Sequence, residues 1–350
     1  MLGLMSFLFI SKPLVIAHRG ASGDLPEHTL AAYEAAIKMG ADYIETDLVI
    51  TKDGVLIARH DVELSLTTNV ADKFPDHKTT KTVDGESQTG WFCEDFTLAE
   101  IKTLKARQRM SIRRQDFNDQ FEIPTFEELL KLLKKSERKV GLYVETKSPT
   151  YFRNLNLPLE ERLLTLLNQY SWNAEGSGIF IQSFEVSNLQ RLHRLTRIPL
   201  IQLVGASGER PFDKPFLTYG RMLTEAGLNR IAEYATGIGA QKWSIFEPTI
   251  WGQIYSVSKF RIAGLPLLKK QVSPIVRMAH SKGLLVHVWT FRSDPQLLLP
   301  DFKTPVDEYL PFWKAGVNGV FTDFPTDAVE SVSYTHLRAH ETKANLVCRL

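Results

Sequence analysis

Short apolar runs rich in β-branched and aromatic residues alternate along the chain with longer stretches in which apolar residues recur every three or four positions. The first pattern is typical of buried β-strands and the second of amphipathic helices. Their alternation predicts repeated βαβ units, and eight apolar runs are what a closed (β/α)8 barrel requires. The predicted strands are Leu14–Ala17, Tyr43–Val49, Gly141–Glu145, Ile179–Gln182, Leu200–Val204, Gly239–Ser244, Leu285–Trp289 and Gly319–Thr322.

The stretches between these runs supply the helices of the barrel. Helical spacing of apolar residues predicts helices at His28–Met39, Pro124–Lys135, Leu159–Gln169, Glu185–Leu195, Val272–Ser281 and Val306–Ala315. The fold class predicted for residues 14–330 is therefore α/β, a (β/α)8 TIM barrel with an insertion after the second strand.

The insertion is the stretch in which the alternation of strand and helix patterns is interrupted. From Val62 to about Asp119 the chain turns polar and carries turn residues such as Asp84-Gly85. We interpret Val62–Phe96 as an insertion on one βα loop, followed by a helix at Thr97–Lys105 that Thr97 and Glu100 cap. Loops of this kind lie at the C-terminal mouth of a barrel, so we expect the insertion to border the substrate. A solvent-exposed hairpin with no role in substrate binding is the alternative.

Both chain ends differ from the barrel pattern. Residues 1–13 begin with an apolar run that resembles the core of a signal peptide, although it lacks a basic flank and a cleavage site. We interpret it as a signal-peptide remnant, with a buried N-terminal segment as the alternative. Residues 331–350 show no long apolar stripe and resemble translated vector sequence. We expect this tail to be foreign to the fold, with an ordinary C-terminal helix as the alternative.

Composition and charge exclude several classes of protein. Hydrophobic residues make up 43% and charged residues 23%, which excludes a disordered or coiled-coil chain. A formal net charge of +2 is too even for a nucleic-acid binder. The N-terminal apolar run is far shorter than the roughly 20 residues of a membrane-spanning helix, so we expect no stable membrane insertion. Cys93 and Cys348 form no disulfide or zinc pattern. Assembly into a homo-oligomer stays open.

Three carboxylates at predicted strand ends indicate a metal site. Glu45 and Asp47 are two residues apart, so both side chains point to the same face of their strand. Two buried carboxylates repel each other unless a cation lies between them, and Glu145 at the end of the next barrel strand is positioned to supply a third. All-oxygen ligands favour a hard divalent ion, Ca²⁺ or Mg²⁺, over Zn²⁺. Salt bridges are the alternative for any one of these carboxylates taken alone.

Two histidines and two cations complete the candidate chemistry. His18 and His60 follow neighbouring barrel segments, where one imidazole can lie on each side of a reacting phosphorus. Arg19 and Lys147 add positive charge where phosphate oxygens become more negative. We expect His28 to begin a helix and to have no chemical role.

These motifs together resemble those of the glycerophosphodiester phosphodiesterase family, in particular its periplasmic bacterial branch. The resemblance rests on separated motifs in order from Leu14 to Asp327: His18-Arg19-Gly20-Ala21, Pro26-Glu27-His28-Thr29, Glu45-Thr46-Asp47, His60-Asp61, Glu145-Thr146-Lys147, Val286–Thr290 and Thr322–Pro325. Several ordered motifs are specific, whereas His-Arg-Gly alone would be weak.

The resemblance implies an enzyme that hydrolyses small glycerophosphodiesters to sn-glycerol 3-phosphate and an alcohol in the periplasm or outside the cell. It implies His18 and His60 as the acid–base pair, and Glu45, Asp47 and Glu145 as ligands of a divalent cation, Ca²⁺ ahead of Mg²⁺. Arg19 and Lys147 would bind phosphate, and Gln182, Phe184 and Trp289 would line the pocket, with core packing as the alternative for both aromatic residues. The alternatives for the function are a phospholipase C- or D-like phosphodiesterase and a non-catalytic barrel that only binds ligands.

Overall fold

A computed structural model describes residues 12–249, 268–299 and 301–335 of the chain. Its strands are β1 (Leu14–Ala17), β2 (Tyr43–Ile50), β3 (Leu56–Ala58), β4 (Thr79–Val83), β5 (Glu86–Gly90), β6 (Gly141–Thr146), β7 (Ile179–Ser183), β8 (Leu200–Val204), β9 (Gly237–Gln241), β10 (Phe246–Pro248), β11 (Leu268–Val272), β12 (Leu285–Phe291) and β13 (Gly319–Thr322). The residues interpreted as a signal-peptide remnant lie almost wholly outside this described part.

Helices follow most of the barrel strands. They are α1 (Leu30–Lys38), α2 (Val70–Lys73), α3 (Leu98–Ile101), α4 (Phe126–Lys135), α5 (Pro149–Asn154), α6 (Leu159–Gln169), α7 (Val186–Leu195), α8 (Tyr219–Met222), α9 (Glu225–Ala232), α10 (Lys242–Ile245), α11 (Ile275–Ser281), α12 (Pro305–Lys314) and α13 (325–335). Within the described residues, no helix is long and apolar enough to cross a lipid bilayer.

Eight parallel strands close into a barrel, as the apolar pattern predicts. Their order around the barrel is β1, β2, β6, β7, β8, β9, β12 and β13, and β13 pairs in turn with β1. Closure is carried by Leu14 beside Gly319 on one side of β1 and by Ile16 beside Tyr43 on the other. The fold is therefore a (β/α)8 barrel, in which the closed ring of strands has no exposed edge.

Two predicted elements end well before their predicted boundaries. The strand expected at Gly239–Ser244 ends at Gln241, because the chain turns into α10 there and Ile245 packs into the core outside the barrel. The helix expected over Thr97–Lys105 is a single turn, Leu98–Ile101. Its predicted capping box is present, since Thr97 and Glu100 exchange hydrogen bonds between side chain and backbone.

Aromatic and aliphatic side chains fill the interior of the barrel. Tyr143 lies at its centre, stacked on Phe180 with ring centroids 5.0 Å apart and edge-on to Phe321 at 4.9 Å. Ile16 and Ile201 complete this buried cluster. Because the interior is packed rather than open, a substrate site has to lie at one end of the barrel, above the carboxyl ends of the strands.

Residues 62–96 contain a two-stranded hairpin, β4 and β5, beside the mouth of the barrel. Asp84 and Gly85 form its turn with φ values of 49° and 85°, the left-handed conformation that tight hairpins require. The Ser148 hydroxyl, just after β6, donates to Asp84 Oδ2 at 2.7 Å. The hairpin tip therefore contacts the loop that follows the Glu145 strand.

The last described helix continues beyond the boundary that the sequence predicts. Helix α13 extends through residue 335, so residues 331–335 are helical and not irregular. Ser331 and Val332 are buried, and Trp313 Nε1 donates to Ser331 Oγ at 3.0 Å. The burial of these two side chains, together with the contact of Ser331 with α12, explains why the helix extends. The rest of the predicted tail, 336–350, lies outside the described residues.

Candidate active site

Three carboxylates meet at the carboxyl ends of β2 and β6. In the register of these strands, Asp47 lies beside Glu145, and Glu45 lies two residues earlier on the same face. Ligand oxygens of Glu45, Asp47 and Glu145 all lie within 4.8 Å of one another, and all three side chains are buried. The structure thus brings together the three residues that the sequence identified as a metal site.

The three carboxylates of the cluster differ in their pKa values, because their surroundings differ. Burial raises the pKa of Glu145 to about 8, and the Asp47 charge adds to that rise. Burial and the Asp47 charge also raise the pKa of Glu45 well above its usual range. For Asp47, burial favours the neutral acid, but nearby cations led by Lys147 hold its pKa well below the usual range. Three ionised carboxylates this close need additional positive charge.

The oxygen atoms present fit a hard divalent cation. Asp47 Oδ1 and Gln182 Oε1 are buried and have no hydrogen-bond partner among the described residues. Gln182 lies beside Glu145 on the adjacent strand β7, and its Nε2 atom donates to Glu45 Oε1 at 3.4 Å. Carboxylate and amide oxygens are the ligands that Ca²⁺ and Mg²⁺ prefer. Glu45, Asp47 and Glu145 would hold such an ion, with Gln182 beside them.

Each of the two predicted catalytic histidines is held by a carboxylate. His18 Nδ1 lies 2.6 Å from Asp323 Oδ1, at the end of β13. His60 Nδ1 lies 2.6 Å from Asp61 Oδ1. In both rings this contact leaves Nε2 as the nitrogen available to a substrate. Burial, together with the positive charge of Arg19, lowers the pKa of both imidazoles, to about 3 for His60.

A single cavity of about 120 Å³ collects the candidate residues. It is lined by His18, Arg19, Glu45, His60, Glu145, Lys147, Gln182, Phe184 and Trp289, together with Leu203, Thr290, Arg292 and Phe321. Phe184 and Trp289 meet edge to face, with ring centroids 5.8 Å apart, and are only partly buried. Asp47 lies behind the cavity wall, where the Arg19 Nε atom is 3.3 Å from its Oδ2. Every candidate residue therefore lies in or directly behind one pocket.

His28 is placed differently from the sequence expectation. Helix α1 begins at Leu30 with Thr29 as its N-cap, and His28 precedes it with a φ of 56°. The His28 side chain is fully buried, with Nε2 2.9 Å from Asp47 Oδ2 and Nδ1 2.8 Å from the Tyr33 hydroxyl. It therefore fixes one of the carboxylates instead of merely starting the helix.

Sequence reasoning also missed the charged groups that surround the histidines. Asp61 and Asp323 stand in motifs that the sequence displays, but their roles depend on contacts with imidazoles that only the fold reveals. Arg109 and Arg113 carry no local signal at all, because their partners are 48 or more residues away. Only the Asp next to His60 had a usable signal, its adjacency to a candidate base.

The chain is thus a (β/α)8 barrel whose mouth carries two imidazoles and three clustered carboxylates, groups that suit an enzyme of acid–base or metal-assisted hydrolysis. Residues 18–327 match the model of the glycerophosphoryl diester phosphodiesterase family. The chain belongs to this family and is a phosphodiesterase.

Curated relatives cover most of the chain. A glycerophosphodiester phosphodiesterase of Arabidopsis thaliana is 37% identical over 331 residues, which cover 90% of this chain and 84% of the relative. A glycerophosphodiester phosphodiesterase of Bacillus subtilis is 31% identical over 352 residues, covering 93% and 92%. Both plant and bacterial relatives are thus similar, and the family predicted from the motifs is confirmed.

Solved structures share the fold. A glycerophosphoryl diester phosphodiesterase structure from Silicibacter pomeroyi has a TM-score of 0.62 at 20% identity, over 93% of this chain and 95% of the other. A phosphodiesterase from Oleispira antarctica, solved in complex with the product sn-glycerol-3-phosphate, has a TM-score of 0.58 at 20% identity, over 92% and 97%. These likenesses confirm the barrel.

Proposed function

We propose that this phosphodiesterase hydrolyses small glycerophosphodiesters, such as glycerophosphocholine, to sn-glycerol 3-phosphate and the free alcohol, using His18 and His60 and a divalent cation. The observation that carries the proposal is the single cavity in which both imidazoles face the Glu45 and Glu145 carboxylates. The Oleispira neighbour binds sn-glycerol-3-phosphate, which is the product expected here.

The protein's own groups supply proton transfer at both sides of the phosphorus. With Nδ1 tied to Asp323 or Asp61, each ring presents Nε2 in a fixed direction. One imidazole accepts the proton of the attacking oxygen, and the other, once protonated, returns one to the leaving alkoxide. The two histidines are held by different elements, which suits groups that act on opposite faces of one phosphate.

Positive charge at the site would stabilise the phosphate. Lys147 Nζ contacts Glu145 Oε1 at 2.7 Å and lines the same cavity as Arg19. Both cations lie where negative charge grows on the phosphate oxygens during reaction. A divalent ion bound by Glu45, Asp47 and Glu145, Ca²⁺ ahead of Mg²⁺, would supply Lewis-acid stabilisation of that charge.

Turnover of glycerophosphocholine with and without a chelator tests the proposal. We expect sn-glycerol 3-phosphate to form, activity to disappear in excess chelator, and Ca²⁺ or Mg²⁺ to restore it, because the carboxylates repel one another without a cation. Full activity in metal-free, chelator-treated protein would refute the cation's role. Absence of hydrolysis with every metal-loaded diester would refute the substrate class.

One surface feature favours a second candidate, a lipid phosphodiesterase. Phe212 and Phe216 are exposed by 42% and 91%, and Phe212 lines a cavity of about 470 Å³ that also borders Glu145 and Lys147. Exposed phenylalanines beside a site are typical of contact with an apolar substrate or surface. Hydrolysis of lysophosphatidylcholine micelles faster than glycerophosphocholine, with loss on Phe216→Ser, would favour this candidate. A Phe216→Ser variant that keeps the wild-type rate on both substrates would exclude it.

Location and assembly are further parts of the proposal. We infer a periplasmic or extracellular site of action from the apolar N-terminal run and the resemblance to the periplasmic branch. Fractionation of cells that express the full reading frame checks this inference, and activity confined to the cytosolic fraction would contradict it. The oligomeric state is measured directly by light scattering.

A further inference from the structure

We propose that one loop orients both catalytic imidazoles, through two arginines four residues apart. We call residues 106–119 the arginine loop; it is closed by the hydrogen bond from Asp119 N to Ala106 O. Arg109 and Arg113 of this loop each contact the outer oxygen of an aspartate whose inner oxygen holds a catalytic histidine. This assignment of positioning residues rests on the proposed function of His18 and His60.

The first half of the device is the chain of contacts from Arg113 to His18. Arg113 NH2 donates to Asp323 Oδ2 at 2.6 Å, while Asp323 Oδ1 lies 2.6 Å from His18 Nδ1. The aspartate is therefore held from both sides. Its side chain is 3% exposed and that of Arg113 is 5% exposed, so little water competes for either partner.

Arg113 is itself fixed by further contacts. Its Nε and NH2 atoms donate to the two oxygens of Asp294 at 2.9 and 2.8 Å, and NH1 donates to Ser22 O at 3.1 Å. Ser22 and Asp294 follow β1 and β12, the strands on either side of β13. Because these three hydrogen bonds fix the guanidinium, it presents one N–H donor to Asp323 in a constant direction.

The second half runs from Arg109 to His60. Arg109 NH2 donates to Asp61 Oδ2 at 2.5 Å, and Asp61 Oδ1 lies 2.6 Å from His60 Nδ1. Glu27 fixes this guanidinium by accepting from its Nε and NH2 atoms, both at 2.8 Å. The arrangement repeats that of Arg113: a forked pair with one carboxylate fixes the arginine, which then holds the aspartate of the imidazole.

The other two arginines of the loop show that this arrangement is not a general property of the segment. Arg107 pairs with Asp72 and Asp119, and Arg114 pairs with Asp116, all at sites in which the carboxylates are at least 43% exposed. Exposed pairs of this kind contribute little to stability and touch neither histidine. Arg107 therefore provides a matched control on the same loop.

The chemical consequence is control of which imidazole nitrogen carries the proton. A fixed, ionised aspartate accepts a hydrogen bond from Nδ1–H and so leaves Nε2 as the reacting nitrogen. If the arginine is lost, the aspartate gains rotational freedom, because Oδ2 of Asp323 then keeps only the longer contact from Arg292 Nε, at 3.2 Å. The ring then samples both tautomers and more than one orientation. The rate should then fall without loss of substrate or metal affinity.

A double-mutant cycle on the Arg113–Asp323 pair tests the proposal. We expect Arg113→Met to lower kcat for glycerophosphocholine about 10-fold, with KM and the metal concentration for half-maximal activity within about 2-fold of wild type. Asp323→Asn should lower kcat further, and adding Arg113→Met to it should then cost less than about 2-fold. Arg113→Lys should restore part of the loss, and Arg107→Met should leave kcat unchanged.

The cycle distinguishes positioning from a structural role. An equal 10-fold cost of Arg113→Met with and without Asp323→Asn would show that the arginine acts through Asp294 or the loop, and would overturn the assignment. An equal loss for Arg107→Met would do the same. The corresponding cycle of Arg109→Met with Asp61→Asn should also be non-additive, whereas Arg109→Met with Asp323→Asn should be additive.

Nitrogen-15 NMR of labelled histidine gives a readout that needs no turnover. In the metal-loaded protein we expect the His18 ring to show a single Nδ1–H tautomer, and Arg113→Met to give averaged or doubled ring signals while the melting temperature stays within a few degrees. Identical His18 signals in the two folded proteins would overturn the proposal. An inactive wild type with the expected tautomer shift would refute the substrate class alone.

Discussion

A ring that exchanges protons with a phosphate ester has to hold one nitrogen in place and keep the other available. His18 and His60 meet this requirement at the residue scale, since each has its Nδ1 atom 2.6 Å from a carboxylate oxygen and lines the cavity. Their side chains remain 12% and 29% exposed, enough to reach a bound molecule. Their roles are proposals that substitution tests directly.

Replacing either histidine should abolish most turnover. We expect His18→Ala and His60→Ala each to lower kcat by about 10²-fold or more, because each removes one positioned proton-transfer group. The exposed His193→Ala on α7 serves as the control and should keep full activity. Circular dichroism checks folding, and near wild-type turnover in a folded variant would contradict the assigned role.

His287 predicts a pH-dependent contribution to stability. It is fully buried with Nδ1 2.7 Å from the Tyr143 hydroxyl, and burial lowers its pKa to about 3. The unfolded chain protonates this residue near pH 6.5, while the folded protein does not until about pH 3. Neutral His287 therefore makes its full contribution to the free energy of unfolding above about pH 6.5. This contribution decreases as the pH falls toward 3.

Urea denaturation at several pH values measures this effect. The loss in the wild type should approach about 1.4 kcal/mol per pH unit from this one group, and His287→Gln should remove that part of the slope. The stability difference between the two proteins should therefore change with pH between about 3 and 6.5. A pH-independent difference would show that His287 does not titrate as expected.

At the scale of elements, the hairpin of β4 and β5 adjoins the site without belonging to the barrel. Its turn contacts Ser148 through Asp84, and Asp84 shares the larger cavity with Lys147 and Phe184. Lys81 also ties the hairpin to the segment that follows it, because its Nζ atom contacts Glu94 and Asp95. We propose that the alcohol part of a diester extends from the phosphate toward this tip.

Shortening the hairpin should change substrate preference rather than chemistry. We expect replacement of Thr79–Gly90 by a short Gly-Ser turn to raise KM or to broaden the range of alcohols accepted, with metal affinity intact, because no carboxylate of the metal cluster lies in it. Asp84→Ala is the milder variant, since it removes only the Ser148 contact. Unchanged KM values across several diesters would show that the hairpin has no role in selection.

At the scale of the whole molecule, α13 follows the strand that closes the barrel onto β1. Its buried positions Ala328, Ser331 and Val332 secure it against the rest of the fold. Truncation after Thr335 should leave kcat/KM and Tm unchanged, as the sequence pattern of 336–350 shows no apolar stripe. Truncation after Glu330 removes the Val332 burial and the Ser331–Trp313 hydrogen bond, a loss of about 2–3 kcal/mol.

Thermal denaturation of the two truncated proteins separates these expectations. The protein ending at Glu330 should melt about 3–8 °C below the protein ending at Thr335, with the same kcat/KM at low temperature. Equal melting temperatures would show that residues 331–335 add nothing. A tenfold loss of activity on removing 336–350 would show that this stretch is part of the working enzyme.

The barrel, the family and the residues that line the cavity could be predicted from the sequence. The eight strands of the barrel are predicted by the eight apolar runs along the chain. Glu45 and Asp47 share a face because side chains alternate along a strand. His18, Arg19 and Lys147 stand beside strand ends, so local pattern was sufficient to find them. These inferences depend on neighbours in sequence, which one chain displays directly.

Only the folded structure shows which groups hold the side chain of His18. Asp323 reaches His18 across 305 residues, and Arg113 reaches Asp323 across 210, so no local pattern records either contact. The same holds for His28, whose role follows from burial beside Asp47. Contacts of this range arise because barrel closure brings the last strand beside the first, and with it the Asp323 carboxylate that contacts His18.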